Sequence, residues 1–233
     1  MIDPVLPPES PSGNHLPAWL RATSGEQRLP VTVAALTMIV LQAMVPERLT
    51  VLPAWGLPAI EVVLLAILVI ADPRRVTHRT QVLRVLSLTL IVAASLANAL
   101  AATSLVIGLI RGTMGSDAGP LLLTGGDIWL TNVVIFGLWY WELDRGGPGR
   151  RMRAERSKPD FLFPEMTAPQ LAAPHWAPTF VDYLYLAFTN ATAFSPTDTL
   201  PFSRWSKLAM MLQSTISLTT GALVIARAVN ILK

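Results

Sequence analysis

The sequence predicts an all-α, polytopic membrane helix bundle: five long hydrophobic helices plus one short spanning or re-entrant helix at about 179–194. Three observations carry this. Uncharged runs reach spanning length, with 26 residues at 85–110 and 19 at 208–226, where a helix needs roughly 20 at about 1.5 Å each. The chain is 52% hydrophobic and only 14% charged, with a mean hydropathy of +0.49, against about 25% charged residues in ordinary soluble domains. The basic residues collect in alternate connections, as positive-inside sorting requires.

Residues 1–27 contain Pro, Ser and Gly with mixed charge and read as a mobile cytoplasmic tail, with Trp19 as an interfacial contact. No basic start followed by an apolar stretch and a small-residue cleavage site is evident, so a signal peptide is not expected. Residues 28–233 read as a single transmembrane domain with spans at about 29–46, 56–71, 82–111, 127–143, 179–194 and 204–228. Pro30 suits the first turn of the first span, where its missing N–H costs nothing. Pro53 and Pro58 delay the second span to about Gly56, and Asp72-Pro73 ends it. The third span is rich in small residues: Ala93, Ala97 and Ala101 lie on one stripe, with Ala94, Asn98 and Ala102 beside them. Small residues four apart let helix backbones approach closely in lipid. The Gly- and Pro-containing stretch 112–126 reads as a loop. The fourth span carries Trp129, Trp139, Tyr140 and Trp141 near its two ends, where interfacial aromatics belong. The basic cytoplasmic loop 144–158 follows, and then a Pro-rich interfacial segment, 159–178, with Phe161, Phe163 and Trp176.

With six crossings and both termini in the cytoplasm, fourteen Arg and Lys fall inside and four (Arg48, Arg111, Arg204 and Lys207) outside. A re-entrant fifth helix entering from the cytoplasm gives the same count. The expected location is the plasma (inner) membrane. The partners are the lipid bilayer and anionic lipids at Arg74, Arg75, Arg79, Arg150, Arg151 and Arg153, because basic residues beside apolar runs suit an anionic leaflet better than nucleic acid. A homo-oligomer is compatible with the sequence.

The C-terminal part is a short aromatic-rich helix, a polar corner and a long uncharged helix. Its stretch Phe188-Thr189-Asn190-Ala191-Thr192-Ala193-Phe194-Ser195-Pro196-Thr197-Asp198, followed by Pro201 and Arg204, resembles the pore module of potassium channels. The resemblance covers about a fifth of the chain and implies a pore helix, a filter strand and an inner helix. The chain departs from that family in having no glycine between Pro178 and Thr220. A filter of backbone carbonyls relies on the angles glycine allows. The missing glycines and the charge count favour a fifth helix that crosses fully, so that Thr192→Val should leave any ion flux unchanged.

The candidate pore or solute contacts are Asn190, Thr192, Ser195, Thr197, Asp198, Gln213 and Glu61. Unpaired polar groups in hydrocarbon cost several kcal/mol each, so those at the corner need partners or water. Glu61 is the one acid inside an apolar run, a position that usually faces a bundle interior or water. If the second helix begins near Gly56, Glu61 lies only a turn or so deep and reaches the outer interface. Gln213, Ser217, Thr220 and Gly221 share a face of the last helix and form a small polar stripe for packing or for a hydrophilic path. Ser203 is a natural N-cap for that helix, and Gly221→Leu is expected to disrupt its packing. There is no Cys, and no HExxH, Walker loop, GxGxxG or Ser-His-acid grouping can be assembled. The sequence therefore points to no enzyme, no cofactor and no metal. Ion or small-solute translocation through the polar hairpin is the expected function. A potassium-channel-like pore with a non-standard filter, and a non-transporting membrane subunit or scaffold, are the alternatives.

Overall fold

The computed structural model describes residues 16–50, 53, 55–76, 81–114, 117–155, 158–192 and 198–232. Within them the protein is mostly helical. The α-helices are α1 (Arg28–Met44), α2 (Gly56–Ala71), α3 (Gln81–Arg111), α4 (Ala118–Leu143), α5 (Pro148–Met152), α6 (Pro164–Thr167), α7 (Phe180–Thr192) and α8 (Arg204–Ile231). Two short antiparallel ladders tie connections together: β1 (Glu26–Gln27) with β2 (Arg75–Val76), and β3 (Phe161–Leu162) with β4 (Leu200–Pro201).

Three helices, α3, α4 and α8, are long and apolar enough to cross a membrane. The expectation of five such helices is met only in part, since α1 and α2 have 17 and 16 residues. Helix α2 begins at Gly56, as Pro53 and Pro58 require. Helix α4 begins nine residues before the expected start at Asp127, inside the stretch read as a loop. Asp117 caps it by accepting from Gly119 N at 3.0 Å, Pro120 fits its first turn, and Leu121 supplies a buried apolar contact. Glycine content suggested a loop, but Gly125 is needed for close packing: a Cβ there would stand 2.7 Å from both Cγ atoms of Val224.

Helix α4 is the axis of the bundle, packed by α1, α3, α7 and α8. Its last turns are more buried than interfacial aromatics would be. Tyr140 and Trp141 are buried, and Trp139 donates to Ser95 Oγ at 2.9 Å. The buried stripe of α3 is Ala94, Asn98, Ala101 and Leu105, so of the two alanine rows it is mainly the second that packs. Residues 159–178 do not simply follow a surface. Phe161 and Phe163 are buried, and Phe161 meets Tyr140, Tyr183 and Trp205 with ring centroids 5.0, 6.5 and 5.5 Å away.

The contacts fix the direction of each helix. One end of the bundle, the loop end, gathers β1, β2, the C-terminus of α4, α5 and β3. The far end gathers Val45, Leu49, Leu109 and Leu121, and Ile231 packs there. Helix α8 starts at the loop end, where Trp205 Nε1 donates to Asp160 Oδ1 at 2.8 Å, and reaches Gly125 of α4 through Val224. Helix α7 also starts at the loop end, with Phe180 against Trp141 at 6.1 Å between centroids. After α7 the chain returns to that same end, where β4 pairs with β3 and Phe202 N donates to Asp160 O at 2.8 Å. The start of α7 and β4, on either side of it, therefore meet the same end of the bundle. Thirteen residues at roughly 1.5 Å each cover about 20 Å of a core about 30 Å thick. In consequence Trp19 and Ile231 lie at opposite ends of the bundle.

Candidate functional site

The hairpin of α7 and α8 is held together by a polar node. Gln213, fully buried on α8, accepts at Oε1 from Tyr140 OH at 2.6 Å and from Asn190 Nδ2 at 2.8 Å. Its Nε2 donates to Ala187 O at 2.8 Å. Asn190 Nδ2 also donates to Met210 O at 3.0 Å, and Ser214 Oγ donates to Asn190 O at 3.2 Å. One turn on, Asn132 Nδ2 donates to Ser217 Oγ at 3.0 Å. The polar face of α8 is thus legible in the sequence, and it does pack: Gln213, Ser217, Thr220 and Val224 are buried against α4 and α7. Ser203 caps α8 as expected, accepting from Ser206 N at 3.3 Å. Gly221 is the exception on the stripe. A Cβ there would meet nothing within 4 Å, so the expected clash of Gly221→Leu has no basis. The close approaches are on α4, at Gly125 and at Gly137, where a Cβ would lie 3.2 Å from Leu184 Cα.

The predicted site residues separate into distinct places. Asn190, Thr192 and Gln213 belong to the hairpin. Thr192 is exposed, and its hydroxyl donates back to Phe188 O at 2.9 Å. Asp198 is exposed, in the bend two residues before β4 at the loop end. Ser195 and Thr197 lie outside the described residues, as does Arg79. Glu61 belongs to α2 and is fully buried rather than reaching an interface. Two cavities at helix depth, about 320 and 380 Å³, are lined mostly by apolar side chains, with Gln42 and Asn98 in the first and Ser95, Asn98 and Asn132 in the second.

A second polar cluster, at the loop end, was not anticipated. Arg151 is buried, and its guanidinium donates from Nη2 to Glu26 Oε1 at 2.7 Å and from Nη1 to the carbonyls of Trp141 and Asp144 at 2.6 and 2.9 Å. It thus satisfies carbonyls at the C-terminus of α4. Glu26 Oε2 accepts from Trp141 Nε1 at 2.6 Å. Asp144 Oδ2 accepts from Tyr183 OH at 2.6 Å, and its Oδ1 accepts from Asp160 N at 2.8 Å. Arg145, at φ 52°, lays its guanidinium over Trp19, 5.3 Å from the ring centroid. Burial pulls the Arg151 pKa down, but Tyr183, Glu26 and Asp144 raise it by more, so the group stands above the usual arginine range and stays charged. Arg151 therefore cannot serve as the lipid contact expected of it; Arg74, Arg75, Arg150 and Arg153 keep an exposed or half-exposed position. Spacing alone could not separate one inward arginine from its neighbours. The one local signal is the pair of glycines before Pro148. Gly147, at φ 97°, sits where a Cβ would be 2.7 Å from Glu142 O.

Comparison with known proteins adds no relative. The chain matches no protein-family model, no curated protein and no solved structure. The reading of its role therefore rests on the geometry.

Proposed function

We propose that the protein crosses the bilayer five times, through α1, α2, α3, α4 and α8, and translocates a small cation or polar solute at the inner end of the re-entrant α7. The observation that carries this reading is that α7 stops part-way across the bundle, while the chain before and after it lies at the loop end. A half-helix directs its last carbonyls toward the membrane interior, here those of Ala191 and Thr192, since the carbonyls of Thr189 and Asn190 already accept from Thr192 Oγ1 and Ser214 Oγ. Such C-terminal ends carry partial negative charge and are a recurrent means of coordinating cations in transporters. Helices α1 and α2 are short for a crossing, a mismatch that local thinning absorbs.

Charge supports the orientation. Moving Arg204 and Lys207 to the loop end, and Arg227 and Lys233 to the far end, again leaves fourteen basic residues against four. The loop end then faces the cytoplasm, and residue 232 the opposite side. Arg74, Arg75, Arg150 and Arg153 meet the anionic leaflet from there. A potassium-selective pore is the narrowest form of this reading, and the absence of glycine from 178 to 220 weighs against it.

A second reading, a membrane subunit that works by packing, draws support from the Gln213 node, whose amide makes two hydrogen bonds within the hairpin and a third to Tyr140 of α4. Flux measurements on the purified protein in liposomes separate the two. Translocation predicts cation flux above that of empty vesicles, altered in Thr192→Val. That variant should keep its melting temperature, since Thr192 is exposed and its hydroxyl bonds, among the described residues, to carbonyls of its own helix. Absence of flux of potassium, sodium and protons would leave the packing role.

A further inference from the structure

Glu61 is fully buried, and neither of its carboxylate oxygens has a hydrogen-bond partner among the described residues. It shares the inward face of α2 with Leu65 and Leu68, the face turned to α1 and α3. No charged residue of those helices faces it. On α1 the one charge is Arg28, in the first turn at the loop end, whereas Glu61 is in the second turn of α2, which begins at the far end. On α3 the charges are Arg84 and Arg111, near its two ends, with 26 uncharged residues between them. The connection from α1 to α2 carries Glu47 and Arg48, both exposed. A carboxylate isolated in this way loses its hydration without gaining a counter-ion, and such a group sheds its charge or acquires a partner.

We propose that Glu61 is a proton-binding site inside the membrane: a carboxyl held as the neutral acid while α2 is packed on α1 and α3, and able to release its proton only when water reaches it. The first cavity approaches it. Lined by residues of α1, α2 and α3 and of the connection between α1 and α2, it includes Thr50, Pro53, Leu57 and Pro58 and so reaches to one turn before Glu61. Gln42 and Asn98 give it two amides among otherwise apolar walls. Release of the proton leaves a carboxylate that the closed packing does not accommodate, so protonation and the closure of α2 are coupled. This inference does not depend on the hairpin reading.

Glu142 is the internal comparison. It is equally buried, but its Oε2 accepts from Ser87 Oγ at 3.0 Å, and Arg84 Nε lies 3.9 Å from its Oε1. Infrared spectra of the full chain in liposomes at neutral pH test the proposal. The carbonyl band of a protonated carboxylic acid should be present in the wild type, shift on exchange into deuterated water, and be lost in Glu61→Gln but kept in Glu142→Gln. Dicyclohexylcarbodiimide, which adds to protonated carboxyls in apolar surroundings, should modify Glu61 several-fold faster in mildly acidic than in alkaline buffer and leave Glu142 unmodified. Glu61→Gln, a neutral isostere, should melt within a few degrees of the wild type. Loss of a carboxylate band in place of the acid band in Glu61→Gln would overturn the proposal, as would carbodiimide modification of Glu142 in preference to Glu61.

Discussion

Arg151 shows how one side chain can hold several segments at once. It binds Glu26 before α1, the last carbonyls of α4, and the rings of Trp141 and Tyr183 at 5.9 and 5.2 Å. Removing one partner of a buried ion pair strands the other, which costs about 3–5 kcal/mol. Glu26→Ala should therefore lower the melting temperature in detergent sharply, and Glu26→Ala with Arg151→Met should recover part of the loss. Equal melting of Glu26→Ala and Lys158→Ala would show that the pair contributes nothing. Glycine offers a second test at the same scale. Gly125→Ala drives a methyl into the stiff, β-branched Val224 and should cost about 1–3 kcal/mol, relieved by Val224→Ala. Gly221→Ala meets open space and, as a better helix former, should be neutral or stabilising by up to about 1 kcal/mol. Equal effects of the two alanines would remove the distinction between the faces.

At the scale of elements, α7 decides the topology. Its aromatic face is apolar enough to bury, yet its 13 residues do not reach the far end. Gln213 fastens its inner turn to α8, while Asp160 fastens the returning chain to the loop end. Single cysteines at Asp117, Arg153 and Leu200 report this directly, because the protein has no cysteine of its own. An impermeant thiol reagent should treat positions 153 and 200 alike and position 117 oppositely. If position 200 follows 117, the helix crosses and the re-entrant reading fails. The ambiguity was inherent in the charge pattern: a crossing and a re-entrant helix exchange one pair of basic residues for another and leave the count unchanged.

For the whole molecule, the odd number of proposed crossings separates the two ends of the chain. Leu232, at the end of α8, should react with the same reagent as position 117 when replaced by cysteine, and oppositely to position 153. Joint labelling of 232 and 153 would restore a six-crossing arrangement. Inversion of the whole pattern, with 153 outside, would instead show that the positive-inside bias does not orient this chain.

The sequence by itself determined the membrane-helix character, the starts of α2 and α8, and the polar face of α8, because each follows from local chemistry: proline stops, a serine cap and helical spacing applied to an uncharged run. It also singled out Glu61 as an isolated acid. Only the tertiary structure decided that Glu61 is buried without a partner, that α4 extends back through its glycines to Ala118, and that Arg151 turns inward among arginines of the same appearance. These outcomes depend on which helices meet. A glycine is a loop signal until Val224 is found against it, and an arginine is a surface charge until Glu26 arrives from more than a hundred residues away in the chain. The course of the chain around α7 belongs to the same class. The helix length allowed both paths, and the pairing of β3 with β4, distant in sequence, puts the chain after α7 at the loop end.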